Sequence, residues 1–95
     1  MLSSKQRAAL RGMANAIETI VQIGKAGITE NIVKQADEAL TARELIKLRV
    51  LEGAQLTARE VAEELAQGIG AQVVQVIGTR FVLYRPNKEK PVIKF

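Results

Sequence analysis

The chain of 95 residues has no cysteine, no histidine and no tryptophan. Without cysteine there can be no disulfide and no thiol nucleophile. Without cysteine or histidine the usual zinc ligands and the commonest general base are also missing. Phe81, Tyr84 and Phe95 are the only rings, too few for a sheet that stacks several bases on its surface. No apolar run reaches the roughly 20 residues of a membrane span. The opening residues, Met1-Leu2-Ser3-Ser4-Lys5-Gln6, lack the apolar core of a secretory signal. The adjacent carboxylates Asp37-Glu38 and Glu63-Glu64 would point about 100° apart on a helix, so neither pair converges on a substrate atom. These absences lead us to expect a cytoplasmic protein with no catalytic site, metal, cofactor, small-molecule substrate or membrane contact.

What remains is ordinary for a folded domain. Apolar residues make up 47% and charged residues 25%, and the length suits a single core spanning residues 1–95. The charge is unevenly placed. Residues 1–29 carry Lys5, Arg7, Arg11 and Lys25 against Glu18, a balance of +3, and residues 30–77 are net −3. Residues 78–95 carry Arg80, Arg85, Lys88, Lys90 and Lys94 against Glu89, a balance of +4. Basic ends around an acidic middle suit a polyanionic partner if the ends meet. The alternative is charge scattered for solubility.

Ser3 or Ser4 can cap a first helix running to about Asn15, Ser3-x-x-Gln6 fits a capping box, and Ala9, Leu10, Met13 and Ala14 would be its buried stripe. Thr19 to Ile23 reads as a strand. Thr29 caps a second helix, which buries Ile32, Val33, Ala36, Ala39 and Leu40. Glu44 to Leu51 alternates as a strand with Ile46, Leu48 and Val50 inward and Leu45, Lys47 and Arg49 on a more polar face. Thr57 and Glu60 box a third helix that ends at Gly68 and Gly70. Gln72–Ile77 and Arg80–Arg85 form a hairpin around Gly78-Thr79. The order α-β-α-β-α-β-β implies an α+β fold of two layers, with the helices on one side of a mixed four-stranded sheet. Its first two strands should be parallel through a right-handed crossover. The tail 87–95 is expected to be loosely held.

The sharpest local feature is Gly24-Lys25-Ala26-Gly27, a GxxG between strand and helix. Glycines let a backbone turn tightly and approach a ligand closely, the helix start offers N–H groups, and Lys25 adds a cation. This corner could hold a phosphate, as a GxxG loop clamps nucleotides in KH modules, or it could be a turn and nothing more. Lys5, Arg7 and Arg11 on the first helix would extend the loop into one basic surface. Lys47, Arg49, Arg80 and Arg85 are further candidates, each with a solvated surface position as the plain alternative.

The chain resembles the stand-alone bacterial CRM-domain (YhbY-type) family over about residues 2–88. The matching residues are Lys5-Gln6-Arg7, Leu10-Arg11, Val21-Gln22-Ile23-Gly24-Lys25-Ala26-Gly27, Ile28-Thr29-Glu30-Asn31, Ala39-Leu40, Arg43-Glu44-Leu45-Ile46-Lys47-Leu48, Val76-Ile77-Gly78 and Leu83-Tyr84-Arg85-Pro86. Asn15 stands where the family often has histidine. The resemblance implies a fold similar to the C-terminal domain of translation initiation factor 3. It also implies an RNA-binding module that associates with precursors of the large ribosomal subunit, with Gly24, Lys25, Ala26, Gly27, Lys5, Arg7 and Arg11 on the rRNA backbone. The rival expectation is an adaptor that docks on ribosomal proteins.

Overall fold

Each helix starts at the hydroxyl residue that the sequence marks. In the computed structural model, which describes residues 2–93, α1 (Ser4–Ala14) opens with a complete capping box between Ser3 and Gln6. Likewise α2 (Glu30–Arg43) opens with the Thr29 side chain accepting from the Ile32 N–H. The box of Thr57 and Glu60 starts α3 (Ala58–Ile69), which stops at Gly70 with a left-handed φ of 69°. Such caps satisfy N–H groups that the helix itself leaves without acceptors. Among the described residues no helix is long and apolar enough to cross a membrane.

The strands β1 (Thr19–Ile23), β2 (Leu45–Val50), β3 (Gln72–Ile77) and β4 (Arg80–Tyr84) form one sheet in the order β1-β2-β4-β3. The β1 and β2 strands are parallel, joined through α2, and β4 is antiparallel to both of its neighbours. Three strands therefore run one way and β4 returns. The hairpin turn falls at Gly78-Thr79, with Gly78 at φ 58°. The α+β class, the element order and the mixed sheet agree with the sequence reading.

The layering needs a correction. The larger core gathers Val21, Ile23, Leu48, Val50, Phe81 and Leu83 under α2 and α3. A second, smaller core lies on the opposite face, where Leu10 and Ala14 of α1 cover Leu45, Val74, Val82 and Tyr84. The first helix therefore packs alone on the face that β2 presents as polar. The reason is a local apolar patch assembled from three strands. A bulge between Val73 and Gln75 helps, because it adds Val74 to that face. Of the expected α1 stripe, Leu10 and Ala14 are buried while Ala9 and Met13 are exposed.

Glu44 also differs from expectation. It is the C-cap of α2 at φ 65° rather than a strand residue, and among the described residues it is the one buried charged side chain. Its carboxylate accepts the backbone N–H groups of Asn87, Val92 and Ile93. The tail is therefore tied to the body as far as residue 93, and the rest of the predicted loose segment lies outside the described residues.

Candidate nucleic-acid interface

Strand direction gives the molecule two ends. At one end lie the Gly24–Gly27 loop, the β2–α3 connection, the β3–β4 turn and the starts of α2 and α3. The loop is a β-turn closed by the Gly27 N–H donating to the Gly24 carbonyl at 2.9 Å. That bond removes one of the N–H groups expected to face a phosphate. The Lys25 and Ala26 N–H groups, at the exposed corner, have no partner among the described residues. Gly27 sits at φ 73°, in the left-handed region that glycine tolerates best. Gly24 is different. A Cβ there would meet only Leu51 Cδ1 at 3.9 Å, an ordinary contact, so nothing inside the fold demands glycine at this position.

The basic strand residues converge on the same end. Arg49 of β2 pairs in register with Gln22 of β1 and with Arg80 of β4, and Arg80 pairs in turn with Ile77 of β3. Paired residues point to the same side of a sheet, so these four make one row. Val82, buried in the smaller core, identifies the side as that of α1. One row below, Lys47 and Gln75 flank Val82. The α1 helix covers the far half of this face and leaves the half nearer the loop open. Asn15, capping the end of α1, joins Lys47, Gln75, Ile77 and Arg80 around a shallow cavity of about 120 Å³.

None of the ion pairs among the described residues lies on this surface. Among the described residues the ion pairs are Arg59 with Glu63 and Arg85 with Asp37. Lys25, Lys47, Arg49 and Arg80 are in none of them. Arg49 and Arg80 face each other across β2 and β4, an arrangement of like charges that costs roughly 0.2–1 kcal/mol. The Arg49 Nε is buried without a hydrogen-bond partner. No set of three or more acidic, His or Cys side chains able to hold a metal occurs among the described residues.

Two candidate cations are engaged elsewhere. Arg7 Nη1 donates to the carbonyls of Val73 at 2.6 Å and Val74 at 3.2 Å, which fastens α1 to β3. The β3 strand is the edge opposite β1, and Val73 and Val74 lie toward the end away from the loop. The expected single surface of Lys5, Arg7, Arg11 and Lys25 is therefore broken at Arg7, while Lys5 and Arg11 are exposed on α1. Arg85 donates to the Asp37 carboxylate at 2.6 Å, to the Ile69 and Asp37 carbonyls and to Thr41 Oγ1. It ties α2 and α3 to the end of β4. Sequence reasoning overlooked Gln22 and Gln75. The alternation of β1, with Val21 and Ile23 inward, was the available signal for Gln22.

At the opposite end, burial acts to raise the Glu44 carboxyl. The N–H donors of Asn87, Ile93 and Val92 outweigh it and hold the group below the ordinary carboxylate value. Tyr84 is raised, by burial first and by the nearby Glu44 charge second.

The "Probable RNA-binding protein YqeI" of Bacillus subtilis is 45% identical over 94 residues, covering 99% of this chain and 98% of the relative. An "RNA-binding protein" of Haemophilus influenzae is 34% identical over 91 residues, covering 96% and 92%. The solution structure of SAV1595 from Staphylococcus aureus superposes with a TM-score of 0.81 at 46% identity, covering 99% of this chain and 98% of that one. The family pattern of the CRS1 / YhbY (CRM) domain matches residues 2–85, and the chain belongs to that family.

Proposed function

We propose that this protein is a non-catalytic RNA-binding protein that associates, in the cytoplasm, with the precursor of the large ribosomal subunit during its assembly. The observation that carries the reading is a set of cations in no ion pair among the described residues: Lys47, Arg49 and Arg80 on the open half of one sheet face, with Lys25 in the loop at the same end of the molecule. Relatives that match nearly the whole chain are named for RNA binding, and the CRM resemblance supplies the ribosomal context. In this reading the strand cations and Lys25 hold backbone phosphates. The Lys25 and Ala26 N–H groups add donors at the loop corner, and the missing Cβ of Gly24 lets the backbone come close. Lys5 and Arg11 extend the field along α1.

The test is filter binding of precursor large-subunit rRNA at several salt concentrations, with wild type and Lys25→Ala. Affinity should fall steeply with salt, and Lys25→Ala should lower the log–log slope by about one. A second reading, docking on ribosomal proteins, is favoured by the apolar groove between Met13, Ile17, Ile20 and Leu45, whose rim leaves Met13 and Ile20 exposed. Salt-insensitive capture of RNA-free ribosomal proteins, with no binding to rRNA, would replace the first reading by the second.

A further inference from the structure

We infer that the open half of the sheet face takes the minor-groove side of double-stranded RNA, held by phosphates and 2′-hydroxyls rather than by stacked bases; this rests on the RNA-binding reading above. Rings are the first observation. Proteins that hold single strands without sequence preference stack the bases on exposed aromatic side chains. Here both rings of the described residues are buried, Phe81 at 1% exposure in the larger core and Tyr84 at 5% in the smaller one. Among the described residues the face offers no aromatic ring on which to stack a base.

Its chemistry is the second observation. Gln22, Arg49 and Arg80 form one row across three strands, with Lys47 and Gln75 in the next. Amide side chains both donate and accept, which matches a hydroxyl, while guanidinium and ammonium groups match phosphate oxygens. Duplex RNA shows both in its wide, shallow minor groove, where 2′-hydroxyls lie between two lines of phosphates. Duplex DNA has the phosphates without the hydroxyls.

Shape is the third. The face is an open sheet surface, roughly 14 Å from β1 to β3 at the usual strand spacing, and the depression lined by Lys47, Gln75 and Arg80 holds only about 120 Å³. A surface of this kind can lie against a shallow groove. It does not enclose a single strand.

The experiment uses fluorescence anisotropy with the full chain and three probes of one sequence: an RNA duplex of about 16 base pairs, the single RNA strand and the DNA duplex. The RNA duplex should bind about tenfold more tightly than either of the others. Gln22→Ala should narrow the gap between RNA and DNA duplexes several-fold and leave the salt slope unchanged. Arg80→Ala should weaken both duplexes and lower the slope by about one. Both positions are exposed, and circular dichroism would verify that each variant folds. A single strand that binds as tightly as the RNA duplex, or a DNA duplex that does so, overturns the inference while leaving RNA binding intact. Binding to no RNA probe at all overturns the RNA-binding reading, and this inference with it.

Discussion

Arg80 and Arg85 stand at the two ends of one strand and meet opposite surroundings. Arg85 is clasped by Asp37, Thr41 and the Ile69 carbonyl, and its own N–H donates to the Glu44 carbonyl at 2.9 Å. Arg80 is exposed, faces Arg49 and is in no ion pair among the described residues. The same side chain is a structural tie at one end and a free cation at the other. What separates the two is the neighbouring chain. The Arg85 end collects helix C-termini, whose carbonyls welcome a cation. The Arg80 end collects the starts of α2 and α3, and there the Arg80 side chain makes no hydrogen bond or ion pair among the described residues. The molecule thus has a sealed end, where Arg85 is paired, and an open one, where Arg49 and Arg80 face each other without an ion-pair partner among the described residues.

The largest test of this contrast is Glu44→Ala. Three backbone N–H groups would lose their acceptor, so urea unfolding should show a loss of roughly 2–4 kcal/mol. A loss below about 0.5 kcal/mol, the range of an ordinary surface change, would break the notion of a sealed end. The same residue predicts an acid response. Burial alone would raise its carboxyl, but the Asn87, Ile93 and Val92 donors leave it net lowered, so the folded pKa lies below the unfolded value of 4.5. Its stabilisation is then complete above that value and drains away as pH falls through the folded pKa. Glu44→Gln should flatten this acid limb.

Next comes the arginine pair itself. Arg85→Ala should cost roughly 1–3 kcal/mol through its stranded partners, with RNA affinity unchanged wherever the variant is folded. Arg80→Ala should change stability by no more than about 0.5 kcal/mol and weaken RNA binding. If Arg85→Ala weakened binding as much as Arg80→Ala, the division between the ends would fail. The smallest effects concern the loop glycines. Gly27→Val should cost roughly 1–2 kcal/mol because φ 73° is unfavourable for an L side chain. Gly24→Ala should leave stability within about 0.5 kcal/mol yet reduce RNA affinity. An unaltered affinity for Gly24→Ala would return the loop to the status of a simple turn.

Much of the fold was legible because its signals are local. The hydroxyl caps at Ser3, Thr29 and Thr57, the alternation from Ile46 to Val50 and the Gly78-Thr79 turn each lie within a few residues of what they specify. The placement of α1 was not, since its seat is built from Leu45, Val74, Val82 and Tyr84, brought together by pairing and by a bulge. Glu44 was hidden for a related reason. Beside Leu45 it looks like the first polar residue of a strand, and only the positive φ of a helix end turns its carboxylate toward the tail. In the candidate site, the shared face of Lys47 and Arg49 followed from alternation. That Arg80 lies opposite Arg49, and that α1 stops short of both, required the register and the docking of a helix remote in sequence. The idea that Arg7 supports Lys25 failed because proximity along the chain up to β1 says nothing about which edge α1 reaches.

The bonds that seat α1 also set an order of events. Arg7 reaches Val73 and Val74, and the Leu2 N–H reaches Gln72 Oε1, across separations of 66 to 70 residues. The α1 helix can therefore dock only when the β3–β4 hairpin exists. Local pieces such as the hairpin and α2 form before such distant contacts can compensate for the loop closure they require. Until that moment the apolar patch of Leu45, Val74, Val82 and Tyr84 lacks its cover. Closure of the smaller core thus waits for strand pairing far along the chain from the helix that covers it.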